Sequence, residues 1–195
     1  MLEELGSIVL NTHSLGGFTD EEFYQFCLDN RDLKFERDPQ NNIIVMSNTG
    51  GKTGNYNIEI SAELALWNRV RRDGICFDSS TAFKLPNGAV RSPDAAWIKV
   101  DRWNSLTDKE REQFPPLCPD FVIEIRSLSD VLITQKNKMA EWVANGSRLA
   151  WLINPEEKLT YVFHEAAVKT VPFGEKLTGE AVLESFEITL STFFK

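Results

Sequence analysis

Ser92-Pro93-Asp94-Ala95-Ala96-Trp97-Ile98 and Phe121-Val122-Ile123-Glu124-Ile125-Arg126-Ser127 are strand-like apolar segments, each with a carboxylate where a buried strand should carry a hydrocarbon. A charged side chain in such a strand is costly unless it is paired or holds a cation. Two of them in neighbouring strands point to a divalent-metal site. Strand side chains alternate, so Val122, Glu124 and Arg126 share one face and Ile123 and Ile125 the other. With Asp94 opening the adjacent strand, both carboxylates reach one cation. Mg2+ or Mn2+ fits, because two carboxylates and a main-chain carbonyl such as that of Ile125 leave room for the waters Mg2+ retains. The plainer alternative is a partly buried Glu124–Arg126 ion pair, with Asp94 a turn residue after Pro93.

The surrounding elements follow from capping and periodicity. Thr19 and Glu22 form a capping-box pattern, and Phe23, Phe26 and Cys27 repeat at helical spacing, which predicts a helix over 20–29. A hairpin follows, with strands at 33–36 and 43–46 and a turn at 39–42. Residues 47–54 read as a glycine-rich loop that lacks the Gly-x-x-x-x-Gly-Lys-Ser/Thr spacing of a phosphate-binding loop. Residues 55–73 read as the longest helix, apolar on several faces and therefore packed on more than one side, with Gly74 as its stop. Strands are expected at 75–83, 94–100 and 121–126, with a short helix at 107–114 between the last two. A helix over 130–145, a strand at 149–153 and a hairpin partner at 160–164 complete the reading. The order from residue 55 is helix, three strands, helix, strand. It predicts a mixed sheet flanked by helices, in the α/β or α+β class. With 195 residues and no linker or repeat, one domain spanning 1–195 is expected.

Bulk properties narrow the function. No run approaches the eighteen apolar residues of a membrane span, and Met1-Leu2-Glu3-Glu4 lacks the basic start of a signal peptide, so a cytoplasmic protein without a membrane partner is expected. Cys27, Cys76 and Cys118 are too widely spaced for a zinc finger and odd in number for a disulfide framework. A net charge of -8 opposes general attraction to nucleic acid. Metal-binding carboxylates contribute to that charge, however, and Arg69, Arg71, Arg72, Lys84, Arg91, Lys99 and Arg102 would supply either a local basic side or merely a solvated face.

Other candidates are weaker. Glu59 and Glu63 share a helical face with Leu66 and Val70, where surface acids are the ordinary reading. Lys138 and Trp142, four apart, are neighbours on the later helix, as a lysine snorkelling along an indole would be. His13 and His164 sit in no nucleophile motif, and a glycosidase pair made of Asp94 and Glu124 would be unusual in so small a chain.

Gly50-Gly51-Lys52-Thr53-Gly54, Phe77-Asp78-Ser79-Ser80-Thr81, Phe83-Lys84-Leu85-Pro86-Asn87-Gly88, Arg91-Ser92-Pro93-Asp94, the run Phe114 to Glu124, and Trp151-Leu152-Ile153-Asn154-Pro155 together resemble the bacterial Uma-two family. Its members are described as "putative restriction endonucleases" and placed among PD-(D/E)XK nucleases. The resemblance, from about residue 18 to the C-terminus, implies a restriction-endonuclease-like core. It implies that Asp94 is the acid of the Pro-Asp element and Glu124 that of the Glu-x-Lys element. Arg126 stands in the lysine's slot, a departure that matters because Arg is a fixed planar charge and Lys a compact movable one. Lys138 on the following helix is the best replacement, and Glu59 resembles the acid some superfamily members carry on the first core helix. The activity implied is Mg2+- or Mn2+-dependent endonucleolytic hydrolysis of nucleic acid, DNA before RNA. The competing expectation is a binding or scaffolding protein that keeps the nuclease fold without turnover. Symmetric cleavage would call for a homodimer, whose interface the sequence does not mark.

Overall fold

The computed structural model describes residues 8–194. Strand β1 (Ile8–Leu10) precedes helix α1 (Asp20–Asp29), whose Thr19–Glu22 capping box is formed as expected. The hairpin is β2 (Lys34–Arg37) and β3 (Ile43–Met46), and α2 spans Gly51–Arg71. There follow β4 (Gly74–Asp78), β5 (Phe83–Lys84), β6 (Val90–Arg91), β7 (Ala95–Lys99), α3 (Val100–Asn104) and α4 (Asp108–Glu112). Then come β8 (Phe121–Ile125), α5 (Leu132–Ala144), β9 (Leu149–Asn154), β10 (Leu159–Phe163), β11 (Val168–Pro172), β12 (Leu177–Thr178) and β13 (Glu187–Ile188).

Three local expectations change. The first four residues of α2 absorb the end of the glycine-rich loop: Gly50 is the N-cap, and Tyr56 in the second turn stacks on Phe194 at 4.1 Å, so tertiary packing overrides weak propensity. The expected strand over 75–83 is broken where Asp78 Oδ1 accepts hydrogen bonds from the Ser80 main-chain N–H and hydroxyl, a local turn that competes with the ladder. The strand that follows Asp94 ends at Lys99, and Val100 opens a short helix instead of closing the strand.

The main sheet has the order β11-β10-β9-β8-β7-β4. Its β8–β9 pair is parallel and the other pairs are antiparallel. The helix, three-strand, helix, strand core is therefore α2, β4, β7, β8, α5 and β9, with β5 and β6 inserted into the second sheet, β1-β3-β2-β6-β5. Both faces of the main sheet are covered, which is why β8 and β9 are buried at every residue. Ile123 and Ile125 face a core shared with Tyr56, Ile60 and Leu64 of α2 and with the C-terminal segment, including Phe173 and Phe186. Val122 faces a second core with Met139 and Trp142 of α5. By the two-residue period Glu124 lies on this second face, directed at α5.

Candidate active site

Two strands bring the acids together. The main-chain N–H of Asp94 donates to Ile123 O at 2.9 Å, and the β7–β8 register pairs Ala95 with Ile123, so one step further Asp94 lies beside Glu124. Asp94 is held from two sides: its Oδ2 accepts the Ile125 N–H at 2.6 Å and its Oδ1 the Asn57 amide at 2.8 Å. Burial pushes the Asp94 carboxyl above the usual range, against the pull of the Ile125 bond and of Lys138 and Lys34.

Glu124, only 6% exposed, accepts both the Trp142 indole N–H at 3.1 Å and the Lys138 ammonium at 2.8 Å on Oε1. The four-residue spacing of Lys138 and Trp142 on α5 thus converges on one carboxylate oxygen. Among the described residues Oε2 has no hydrogen-bond partner. Burial raises the Glu124 carboxyl to about 7; Lys138 opposes the shift, while Asp94 and Glu36 add to it. For Lys138, burial disfavours the ammonium, but Glu124 and Glu36 more than offset this and hold its pKa above the ordinary lysine value.

Glu36 of β2 completes the cluster. Buried at 2% exposure, it accepts Lys138 at 2.9 Å and the Ser92 N–H at 3.0 Å on Oε1, and Arg91 at 3.1 Å on Oε2. Burial would raise its carboxyl, but Lys138 and Arg91 outweigh that and keep it below the usual range. Arg91 also donates to Glu141 at 2.6 Å. The sign alternates along Glu141, Arg91, Glu36, Lys138 and Glu124, and Asp94 adds another carboxylate beside Glu124. Four acids face Arg91 and Lys138, with Lys34 also acting on Asp94, so the largely buried site is net negative when all four carboxyls are ionised.

That imbalance fits a divalent cation. No group of three or more His, Cys, Asp or Glu residues with ligand geometry occurs among the described residues, so the protein would offer two carboxylates and leave the other positions to water and main chain, as Mg2+ tolerates.

The remaining candidates lie apart. The Arg126 guanidinium donates to Asp130 O at 3.1 Å and Asn154 Oδ1 at 3.3 Å and pairs with Glu156, so it touches neither Asp94 nor Glu124. Glu59 makes no hydrogen bond or ion pair with any described residue; Asn57, two residues earlier on α2, is the one that meets Asp94. Of the seven cations that would have supplied either a basic side or a solvated face, four are paired: Lys84 with Asp20, Arg91 with Glu36 and Glu141, Arg102 with Asp120, and Arg71 with Glu184. Sequence reasoning missed Glu36, because β2 reads Lys34-Phe35-Glu36-Arg37 and a carboxylate among other charges does not interrupt an apolar run as Glu124 does. For Asn57 the signal is slight, a polar neighbour of the buried Tyr56, Ile60 and Leu64 stripe.

The paired acids thus lie at the junction of two central strands of a mixed sheet between two helices, with a lysine delivered from the following helix. The Uma2 family model, described as "Putative restriction endonuclease", matches residues 20–191, and the chain belongs to that family. The chain also shares its fold with a crystal structure of a "putative nuclease belonging to DUF820" from Anabaena variabilis ATCC 29413, with a TM-score of 0.72 and 16% identity, over 91% of this chain and 97% of that one. No curated protein matches the chain.

Proposed function

We propose that this protein is a PD-(D/E)XK-type nuclease that hydrolyses phosphodiester bonds of DNA with Mg2+ or Mn2+ held by Asp94 and Glu124. The observation that carries this reading is the contact of the Lys138 ammonium, 2.8 Å from a Glu124 carboxylate that lies beside Asp94. When bound, the cation supplies Lewis-acid stabilisation of charge on the phosphate and a more acidic water. The residues present do the rest. Asn57 and the Ile125 N–H fix the Asp94 carboxylate, and Trp142 and Lys138 fix that of Glu124, so neither acid has to reorganise. Lys138 stays protonated between two acids, so its role is that of a fixed positive charge that orients a water or a phosphate oxygen, and not that of a general base. Arg126, in the slot of the motif lysine, serves the loop around Asp130 and Asn154 instead.

Incubation of supercoiled plasmid with the purified protein and Mg2+ or Mn2+ tests the reading. Nicking is expected, with a loss of at least about 100-fold in Asp94→Asn and Glu124→Gln. Equal nicking by the wild type and both variants would overturn it.

A further inference from the structure

Helix α2 carries an apolar row on its outer side as well as the buried one on its inner side. Tyr56, Ile60 and Leu64 are buried against the sheet, whereas Ile58, Leu66 and Val70 are 63%, 54% and 84% exposed. With exposed Ala62 they form an i, i+4, i+8, i+12 ridge that no described residue covers. A contiguous exposed apolar ridge, here flanked by Glu59, Glu63 and Arg69, marks a contact surface.

We infer that a second copy of this chain covers that face, with the two α2 helices packed antiparallel about a dyad near residue 64. Three observations select a second copy in this orientation. The ridge is self-complementary when reversed: Ile58 meets Val70 of the other copy, and small Ala62 receives large Leu66, the i±4 ridge packing that globular helices favour. The charges agree, because Glu59 and Glu63 lie in the first part of the helix and Arg69 and Arg72 at its end, whereas Arg71 is already held by Asp73 and Glu184. Antiparallel apposition brings the acids of each copy towards the arginines of the other; parallel apposition would set like against like. The area is that of a weak dimer: a 21-residue helix is about 30 Å long, so one face of it gives a contact at the small end of specific interfaces.

Sedimentation equilibrium of the full chain at 10–200 μM, a range chosen for a weak interface of about this size, should give a mass rising towards twice 22.2 kDa. Leu66→Glu with Val70→Glu should return it to the single-chain mass while leaving the circular dichroism melt in place. Orientation is tested by mixing Ile58→Cys protein with Val70→Cys protein under mild oxidant. A disulfide-linked heterodimer should form in the mixture and in neither protein alone, since two copies of residue 70 would lie about 18 Å apart. A wild type that is monomeric throughout, a dimer that survives Leu66→Glu with Val70→Glu, or cross-linking of Val70→Cys protein with itself would each overturn the inference. None of these readouts depends on nuclease activity, so the two proposals fail separately.

Discussion

The carboxyl of Glu124 sets the pH behaviour of the site. Its folded value of about 7 lies above the ordinary 4.5, so between those values the native state holds a proton that the unfolded chain releases. In the cation-free protein this contribution to stability is fully present below about pH 4.5 and is lost as pH rises through about 7. The melting temperature without metal should therefore fall from pH 5 to pH 7.5, and Glu124→Gln should flatten that slope. Binding of the proposed metal would need the ionised carboxylate, so Mn2+ affinity should rise over the same interval. Calorimetry at pH 6 in buffers of different ionisation enthalpy should register proton release on binding; heats independent of buffer would contradict this. Asp94 and Glu124 were legible because each interrupts an apolar run with a charge. The function of Arg126 was not, because strand alternation fixes a face and leaves a long side chain free to reach Asp130 and Asn154.

Helix α5 and the β2–β3 hairpin are joined by one carboxylate. Glu36 answers Lys138, Arg91 and the Ser92 N–H at once, so Glu36→Ala leaves Lys138 with Glu124 alone, Arg91 with Glu141 alone and the Ser92 N–H without its acceptor. A loss of about 1–3 kcal/mol in urea unfolding is expected. A change below about 1 kcal/mol would mean that the cluster is already open to water. The start of β4 is equally exacting. Gly74 reads in the sequence as a helix stop, but the left-handed residue that ends α2 is Arg72, at φ 56°. Gly74 is glycine because a Cβ there would strike the Trp97 indole. That ring cannot swing aside cheaply, since its N–H donates to Asn68 Oδ1 at 2.9 Å and the Asn68 amide in turn donates to Gly74 O at 2.9 Å. Gly74→Ala should cost about 1–3 kcal/mol in the same measurement. The strands β7, β8 and β9 were readable because both sheet faces are buried and the apolar runs are continuous. The C-terminal segment, with Leu183, Phe186, Leu190 and Phe194 in the core, was not, because it packs by irregular turns without a period.

Across the molecule, sequence pattern carried the central layer and the two helices packed on it, but not the assembly of the second sheet or the C-terminal segment. The order of helix, three strands, helix and strand is visible from periodicity, whereas the insertion of β5 and β6 into a second sheet depends on contacts far apart in the chain. The charge census shows the same limit. Composition allows a basic side, but most of those cations are answered by acids from distant segments, and pairing of that kind is invisible along a linear sequence. The linkage of Glu36 to Lys138 spans 102 positions. During synthesis the hairpin therefore leaves the ribosome long before its partner on α5 exists, and Glu36 can meet Arg91 but not Lys138 until most of the polypeptide has emerged. The acids and the ammonium that cluster in the folded protein come together only late in synthesis, so whatever chemistry they perform must await a nearly complete chain.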